Sequence, residues 1–193
     1  ARFEARLFVD ASGREGVLRD AVPALAAWCP PAAPHDLCSA QHLILEIDDV
    51  DGARRYLKEV EAEPGEAVDH LGLAGGYSVA VIRVEESLEE VSVLTGTLAD
   101  GRSGTGPDLM KRVRAEHPWI GRPVFGGGAL IPLRRTYDRL AAPGLALAGD
   151  AAAQVMAAHG SGIGYGLIAG KVLAEATAGA ADPGSADAVW AYQ

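Results

Sequence analysis

The sequence predicts a mixed α/β fold of α+β character, with short buried strands near both ends of the chain and a mixed, largely antiparallel sheet in the middle. Three observations lead there. Short apolar runs at Arg6 to Asp10 and Leu145 to Ala148 stop at small-residue turns, as buried strands do. Two β-branched runs, Tyr77 to Val84 and Val91 to Leu98, flank an acidic turn and read as an antiparallel hairpin. Finally, Asp51 to Glu61 places Ala53, Tyr56, Leu57 and Val60 on one helical stripe.

The remaining elements follow in chain order. A strand at Arg6 to Asp10 needs a neighbour, so residues upstream of this sequence are expected to be missing. An Ala-rich stretch runs to Trp28, and Pro30, Pro31 and Pro34 then bar regular structure from Cys29 to Asp36, where a domain boundary is expected. His42 to Ile47 alternates with one apolar side and reads as a strand in a half-covered sheet. Pro64-Gly65 closes the Asp51 helix. A second helix is expected from Pro107 to about Glu116, with Leu109, Met110 and Val113 inward, followed by an extended segment from Val124 to Leu133. Pro143-Gly144 turns the chain into Leu145 to Ala148, and Ile163 to Ala178 reads as the last long helix. There is no internal repeat.

Composition excludes several functions. With 193 residues, 49% hydrophobic and 22% charged, the chain has material for one domain or two small ones. Its net charge of −9 repels nucleic-acid phosphates, and the basic clusters Lys111-Arg112-x-Arg114 and Arg134-Arg135 are short, so no nucleic-acid partner is expected. Cys29 and Cys38 read as free, reduced thiols, and no further ligands complete a zinc set beside them. The N-terminus lacks a signal peptide, and the expected location is the cytoplasm. The uncharged window Ala151 to Gly170 holds five glycines with Gln154, His159 and Ser161, too polar for a membrane span. Peripheral contact with a membrane stays open, as does the oligomeric state.

Two segments carry chemistry. Leu145-Ala-Leu-Ala-Gly-Asp150 delivers an acid to the carboxyl end of a strand, where ligands gather in α/β sheets and where a carboxylate can accept hydrogen bonds from ribose-like or ribityl hydroxyls. Ten residues on, His159-Gly-Ser-Gly-Ile-Gly-Tyr-Gly166 runs into a helix, whose free N–H groups and dipole favour an anionic group. Gly162, Gly166 and Gly170 recur every four residues, a face that permits close packing. His159 is the one acid–base candidate and is read as a polar loop residue. At the other end, Phe8-Val-Asp-Ala-Ser-Gly-Arg-Glu-Gly-Val-Leu-Arg19 is a strand, a glycine turn and a returning basic residue.

In this order and separated by a sheet, these motifs resemble the FAD-dependent oxidoreductases related to geranylgeranyl reductases, aromatic-ring hydroxylases and flavin halogenases. The middle motif of that family, Ala-Asp-Gly-x-x-Ser-x-x-Arg, is matched in spacing by Ala11 to Arg19, with Ser12 for the Asp and Gly16 for the Ser. Its late motif is matched by Gly149-Asp-Ala-Ala152 and Gly160-Ser-Gly-Ile163, although Met156 and Ala157 stand where the family carries Pro. The Gly-x-Gly-x-x-Gly strand-turn-helix is not present in these residues.

The resemblance implies that residues 1–28 and 134–193 form part of an FAD-binding Rossmann-like domain and 29–133 a substrate-domain sheet, with the dinucleotide-binding half missing. It implies FAD contacts from Asp10, Gly13, Arg19, Gly149, Asp150, Gly160, Gly162 and Ile163, with Asp150 at the ribityl or phosphate end and the amides of Gly162 and Ile163 beside the isoalloxazine. No catalytic residue is specified. Arg134, Arg135 and Tyr137 are within reach of the flavin edge and otherwise read as surface residues. The expected activity is a reductase on an apolar, isoprenoid-like substrate, with NAD(P)H as a candidate electron donor and with this stretch inactive alone. The alternatives are an FAD-dependent monooxygenase or halogenase, or a non-catalytic binding module with degenerate flavin motifs.

Overall fold

The computed structural model describes residues 2–156 and 161–193. The fold is mixed α/β, and the chain separates into two compact units, Ala1–Ala33 with Ile131–Gln193, and Pro34–Leu130.

The first unit is organised on a three-stranded sheet. Strand β1 (Phe8–Asp10) runs parallel to the strand at Leu145–Leu147, with Asp10 opposite Leu147, and that strand pairs on its other side with Ala141–Ala142. All three residues of Leu145–Leu147 are buried, because helices close over the sheet. Leu25 of α1 (Pro23–Ala26) joins Leu145 to Leu147, Ala169, Leu173, Val189 and Tyr192 in one core. Tyr192 locks the C-terminal segment down: its hydroxyl donates to the Leu147 carbonyl at 2.6 Å and accepts from Gln154 at 3.1 Å.

The second unit is a five-stranded sheet. In chain order its strands are β2 (Leu37–Ile47), β3 (Ala67–Leu71), β4 (Ser78–Val84), β5 (Glu90–Leu98) and β6 (Ile120–Pro132), the last running on past the unit's end at Leu130. Their spatial order is β3-β4-β5-β2-β6. Pairs β3–β4, β4–β5 and β2–β5 are antiparallel. Helices α2 (Val50–Glu59) and α3 (Gly106–Glu116) bury Ala53, Tyr56, Leu57, Met110 and Val113 against Leu45, Ile82, Val84, Val91 and Val93. Each helix starts where its sequence provides a cap: Asp49 accepts from Gly52 N–H, and Thr105 with Asp108 forms a reciprocal capping box.

The hairpin and both helices of the middle stand where the sequence puts them. Strand β2 starts at Leu37, five residues before His42, because pairing to β5 from Cys38↔Leu98 onward orders a stretch with no alternation of its own. Strand β3 and the two-residue strand β7 (Ala141–Ala142) are additional: both are short, and partners hold them rather than a hydrophobic period. We number Leu145–Leu147 as β8, and the final helices are α4 (Ile163–Thr177) and α5 (Ala186–Trp190). Both cysteines are free and buried. Among the described residues no helix is long and apolar enough to cross a membrane.

The glycine stripe of α4 packs differently from the sequence expectation. A Cβ on Gly166 would lie 3.7 Å from Gly149 Cα, but one on Gly170 would meet nothing within 4 Å. Ala169, Leu173 and Thr177 face the core, while Ile163 and Leu167 are 85% and 71% exposed. The close approach is thus confined to the first turn, where α4 meets the loop after β8.

Candidate functional site

Asp10 ends β1 and is only 1% exposed. One carboxylate oxygen accepts from Ser12 N–H (3.0 Å) and Ser12 Oγ (2.6 Å), and the other from Leu18 N–H and Arg19 N–H, both at 2.8 Å. Burial alone would raise its pKa, but the bonds from Ser12, Arg19 and Leu18 outweigh it and hold the carboxyl below its ordinary value. Ser12 Oγ also accepts from Val17 N–H at 2.9 Å. The Asp-x-Ser pair therefore ties the whole turn to the end of the strand, and Asp10 acts one layer behind the cavity instead of lining it.

That turn delivers Arg19, which is buried. Its guanidinium donates to Asp20 Oδ1 at 2.9 Å, to the Glu15 carbonyl at 3.2 Å, and to Tyr137 Oη and the Ala151 carbonyl at 3.4 Å each. The substitution of Gly16 for the family's Ser now has a physical cause. Gly16 has φ +58°, and a Cβ there would lie 2.5 Å from Arg19 Cζ, so a side chain at this position strains the backbone and shifts the guanidinium from its place.

Tyr137 is buried beside two cations, with the Arg134 guanidinium 4.6 Å and the Arg19 guanidinium 5.4 Å from its ring centroid. Arg134 donates to the Pro30 carbonyl at 3.3 Å, and its buried Nε has no partner among the described residues. Arg135 is different: it pairs with Asp138 at the surface. Of the two sequence readings for these residues, a surface position fits Arg135 alone, since Arg134 is half-buried and Tyr137 buried. The missed signal was the aromatic two places after a double arginine in an otherwise apolar approach to β7.

After β8, Gly149–Ala152 forms one tight turn, with Gly149 N–H donating to Gln154 Oε1 at 2.8 Å. Asp150 follows, and no hydrogen-bond or ion-pair partner for its carboxylate is present among the described residues. Burial raises its pKa, with no donor to oppose the shift. Beside it stands Gly162, the N-cap of α4, where a Cβ would come within 3.3 Å of Asp150 Oδ1. A half-buried carboxylate that has no donor among the described residues thus sits beside the positive end of a 15-residue helix.

Arg19, Arg134, Tyr137 and Asp150, with Arg14 and Ala153, line one cavity of about 200 Å³. The fold therefore brings together Arg19 and Asp150 from motifs at opposite ends of the chain. Gly149 and Gly162 are not among its lining residues, although Gly162 stands beside Asp150, and Ile163 is an exposed residue of the first helical turn. Gly13 opens a 3₁₀ turn and faces open space. Gly160 and His159 lie outside the described residues. The cavity is below the ~300–1,000 Å³ of whole small-molecule sites, so its size suits one portion of a larger ligand. Glu15 and Asp20 also line it, paired with Arg14 and Arg19, so the Asp150 carboxylate, an acceptor with no donor among the described residues, suits hydroxyl groups.

No family model matches the sequence. A menaquinone reductase from Mycolicibacterium smegmatis is 40% identical over 93 residues, covering 45% of this chain and 23% of that protein. Among solved structures, a geranylgeranyl bacteriochlorophyll reductase-like protein from Thermoplasma acidophilum superposes with a TM-score of 0.75 at 18% identity, over 97% of this chain and 45% of that one. A flavin-dependent halogenase from Xanthomonas campestris gives 0.62 at 14% identity, over 100% and 34%. A probable FAD-dependent monooxygenase from Pseudomonas aeruginosa gives 0.60 at 19% identity, over 97% and 50%. This chain spans about half or less of the length of each. It has the fold of the corresponding part of geranylgeranyl reductase-like proteins, FAD-dependent monooxygenases and flavin halogenases.

Proposed function

We propose that the protein is an FAD-dependent oxidoreductase, and more narrowly a reductase acting on an apolar, isoprenoid-like substrate with NAD(P)H as electron donor in the cytoplasm. The observation that carries this reading is the Asp150 carboxylate, half-buried and without a donor among the described residues, beside the N-terminus of α4 in a cavity that also holds the guanidiniums of Arg19 and Arg134. Leaving a carboxylate undonated in a partly buried place costs folding free energy, and a ligand rich in hydroxyls removes that cost.

When bound, FAD would supply the hydride chemistry. The unit of Ala1–Ala33 and Ile131–Gln193 would be the flavin unit. In it Asp150 would accept hydrogen bonds from the ribityl hydroxyls, and the first amides of α4, at Gly162 and Ile163, would face the pyrimidine edge of the flavin ring. The bare backbone at Gly162 and Gly164 lets a flat ring approach that helix end. Asp10 and Ser12 hold the loop that places Arg19. Gly13, Gly149 and Gly160 remain assigned to the same cofactor through the motif they belong to.

The unit of Pro34–Leu130 would carry the substrate, and the uncovered face of its sheet supports an apolar one: Ile44, Val79, Val81 and Leu94 are half-buried there. The likeness to a menaquinone reductase supports a reductase in particular. The shared fold of a halogenase and a monooxygenase favours a second reading, in which the reduced flavin acts on oxygen. Product analysis separates them, since a reductase saturates a double bond or reduces a carbonyl without incorporating oxygen or halide.

The test of the cofactor is direct. The purified full-length protein is expected to show visible flavin absorbance, or to gain it together with a higher melting temperature when FAD is added. A colourless protein whose absorbance and melting temperature ignore FAD refutes the proposal.

A further inference from the structure

The edge strand β7 borders a cavity that shares no residue with the flavin motifs. The sheet order β1-β8-β7 puts β7 on the side away from β1, and α1 and α5 both pack on it. Beside it lies a hollow of about 160 Å³, lined by Ala24, Ala142, Pro143, Val189 and Trp190, the last of them 71% exposed. The backbone here is already occupied. Gln193 Oε1 accepts from Leu140 N–H at 3.0 Å and Ala141 N–H at 3.4 Å, its amide nitrogen donates to the Asp138 carbonyl at 2.9 Å, and Pro143 has no N–H to offer. An added strand therefore finds no row of donors along this stretch, and side chains decide what the hollow can hold.

Arg139 is the only charged residue of the lining. It is half-buried, and its guanidinium lies 5.3 Å from the centroid of the Trp28 ring, itself 52% exposed. Among the described residues its side chain has no oxygen partner, whereas every other arginine of the chain meets a carboxylate or a backbone carbonyl. With 26 acidic residues against 17 basic ones, the chain does not lack acids to pair it. The acids next in sequence to lining residues stay outside the hollow: Asp138 is held by Arg135, and Asp187 is exposed on the first turn of α5. A ring face attracts a guanidinium without supplying the oxygen acceptors that its N–H groups need. The complement to this hollow is a planar anionic group for the arginine fork, joined to a hydrocarbon body for Pro143, Val189 and Trp190.

We propose that Arg139, packed on Trp28 and facing Trp190 across the hollow beside β7, is the anchor of a second ligand site whose ligand is an aliphatic carboxylate. It stands apart from the flavin reading and goes beyond it. The hollow is smaller than whole small-molecule sites, so the probe is a short chain, octanoate. Octanol, without charge, and octylammonium, with the opposite charge, are the controls. Each is titrated by calorimetry into the full-length protein, with and without added FAD, and circular dichroism shows that the variants are folded. Octanoate binds more tightly than either control, and equally well with FAD present. Arg139→Gln lowers octanoate affinity by about 10-fold or more, the value of a charge-assisted bidentate contact, and leaves octanol affinity unchanged. Arg139→Lys keeps the charge without the fork and recovers only part of the loss. Trp190→Ala weakens octanoate and octanol alike. The proposal is overturned if octanoate binds no more tightly than octanol or if Arg139→Gln binds octanoate as wild type does. It is equally overturned if FAD displaces octanoate, which would put the carboxylate in the cavity of Arg19 and Arg134. A protein that ignores FAD but shows the octanoate pattern removes the oxidoreductase reading and leaves this site standing.

Discussion

Asp10 shows how much a single residue type constrains here. Its carboxylate collects four donors from residues two to nine positions later, so the ionised form of Asp10 favours the turn that presents Arg19. Asp10→Asn keeps the shape but turns an acceptor-only group into one that must donate, and is expected to cost about 1–3 kcal/mol in urea unfolding. Because the folded carboxyl lies below its ordinary value of 3.8, its contribution is present above that value and is lost as the pH falls through the lower folded one. The acid limb of the wild-type stability curve should therefore be steeper than that of Asp10→Asn. Identical acid limbs would show that the carboxylate does not hold the loop.

Glycines 13 and 16 separate two causes at the same scale. Both have positive φ, at +78° and +58°, but only a Cβ at residue 16 collides, 2.5 Å from Arg19 Cζ. Gly13→Ala should cost about 1–2 kcal/mol for the backbone alone. Gly16→Ala should cost more and should also lower flavin content, because Arg19 must leave its place. Equal effects in thermal unfolding would mean that the collision is relieved for free. Asp150 has the opposite sign to Asp10: burial raises its pKa, so its ionisation works against the ligand-free fold as the pH rises through the window above 3.8. Asp150→Asn is expected to raise the melting temperature of the ligand-free protein at neutral pH, the usual exchange of stability for a binding group.

Among the elements, α4 carries the clearest contrast. Leu173 lies in the core, while Leu167 on the same helix is 71% exposed. Leu173→Ala should cost about 2–5 kcal/mol, whereas Leu167→Ser should stay within about 0.5 kcal/mol. If Leu167→Ser proves as damaging as Leu173→Ala in urea unfolding, the outward face of α4 is covered by other protein. The same helix shows where sequence reading reaches its limit. Its start, length and glycine spacing were readable from periodicity and composition, as were α2, α3 and the β4–β5 hairpin. Which of its faces is covered was not fully readable, since apolar residues crowd it on every side but the Lys171–Glu175 stripe. Strands β3 and β7 escaped notice for a related reason: their pairing is supplied by neighbours far along the chain, and their own residues carry no period.

For the molecule as a whole, the candidate site depends on the chain returning to where it began. Residues 10–19 and 134–153 are distant in sequence, and the parallel pairing of β1 with β8 puts Asp10 and Leu147 side by side, so the two acid-bearing loops open on one edge. The motifs announced those two loops, and the resemblance they carry agrees with the fold of the reductase-like, halogenase and monooxygenase structures. The packing of Arg19 and Arg134 on Tyr137 was not announced, because cation–π packing needs the third dimension before it can be told from surface charge. The account as a whole stands on Asp150. The most direct measurement is the flavin content of the full-length protein purified with Asp150→Ala beside the wild type, with circular dichroism to show that both are folded. The account predicts at least about a 10-fold loss of FAD affinity, the ~1.4 kcal/mol of one or two charge-assisted hydrogen bonds, in a protein that remains folded. Equal flavin content in the two proteins would contradict it and remove Asp150 from the site.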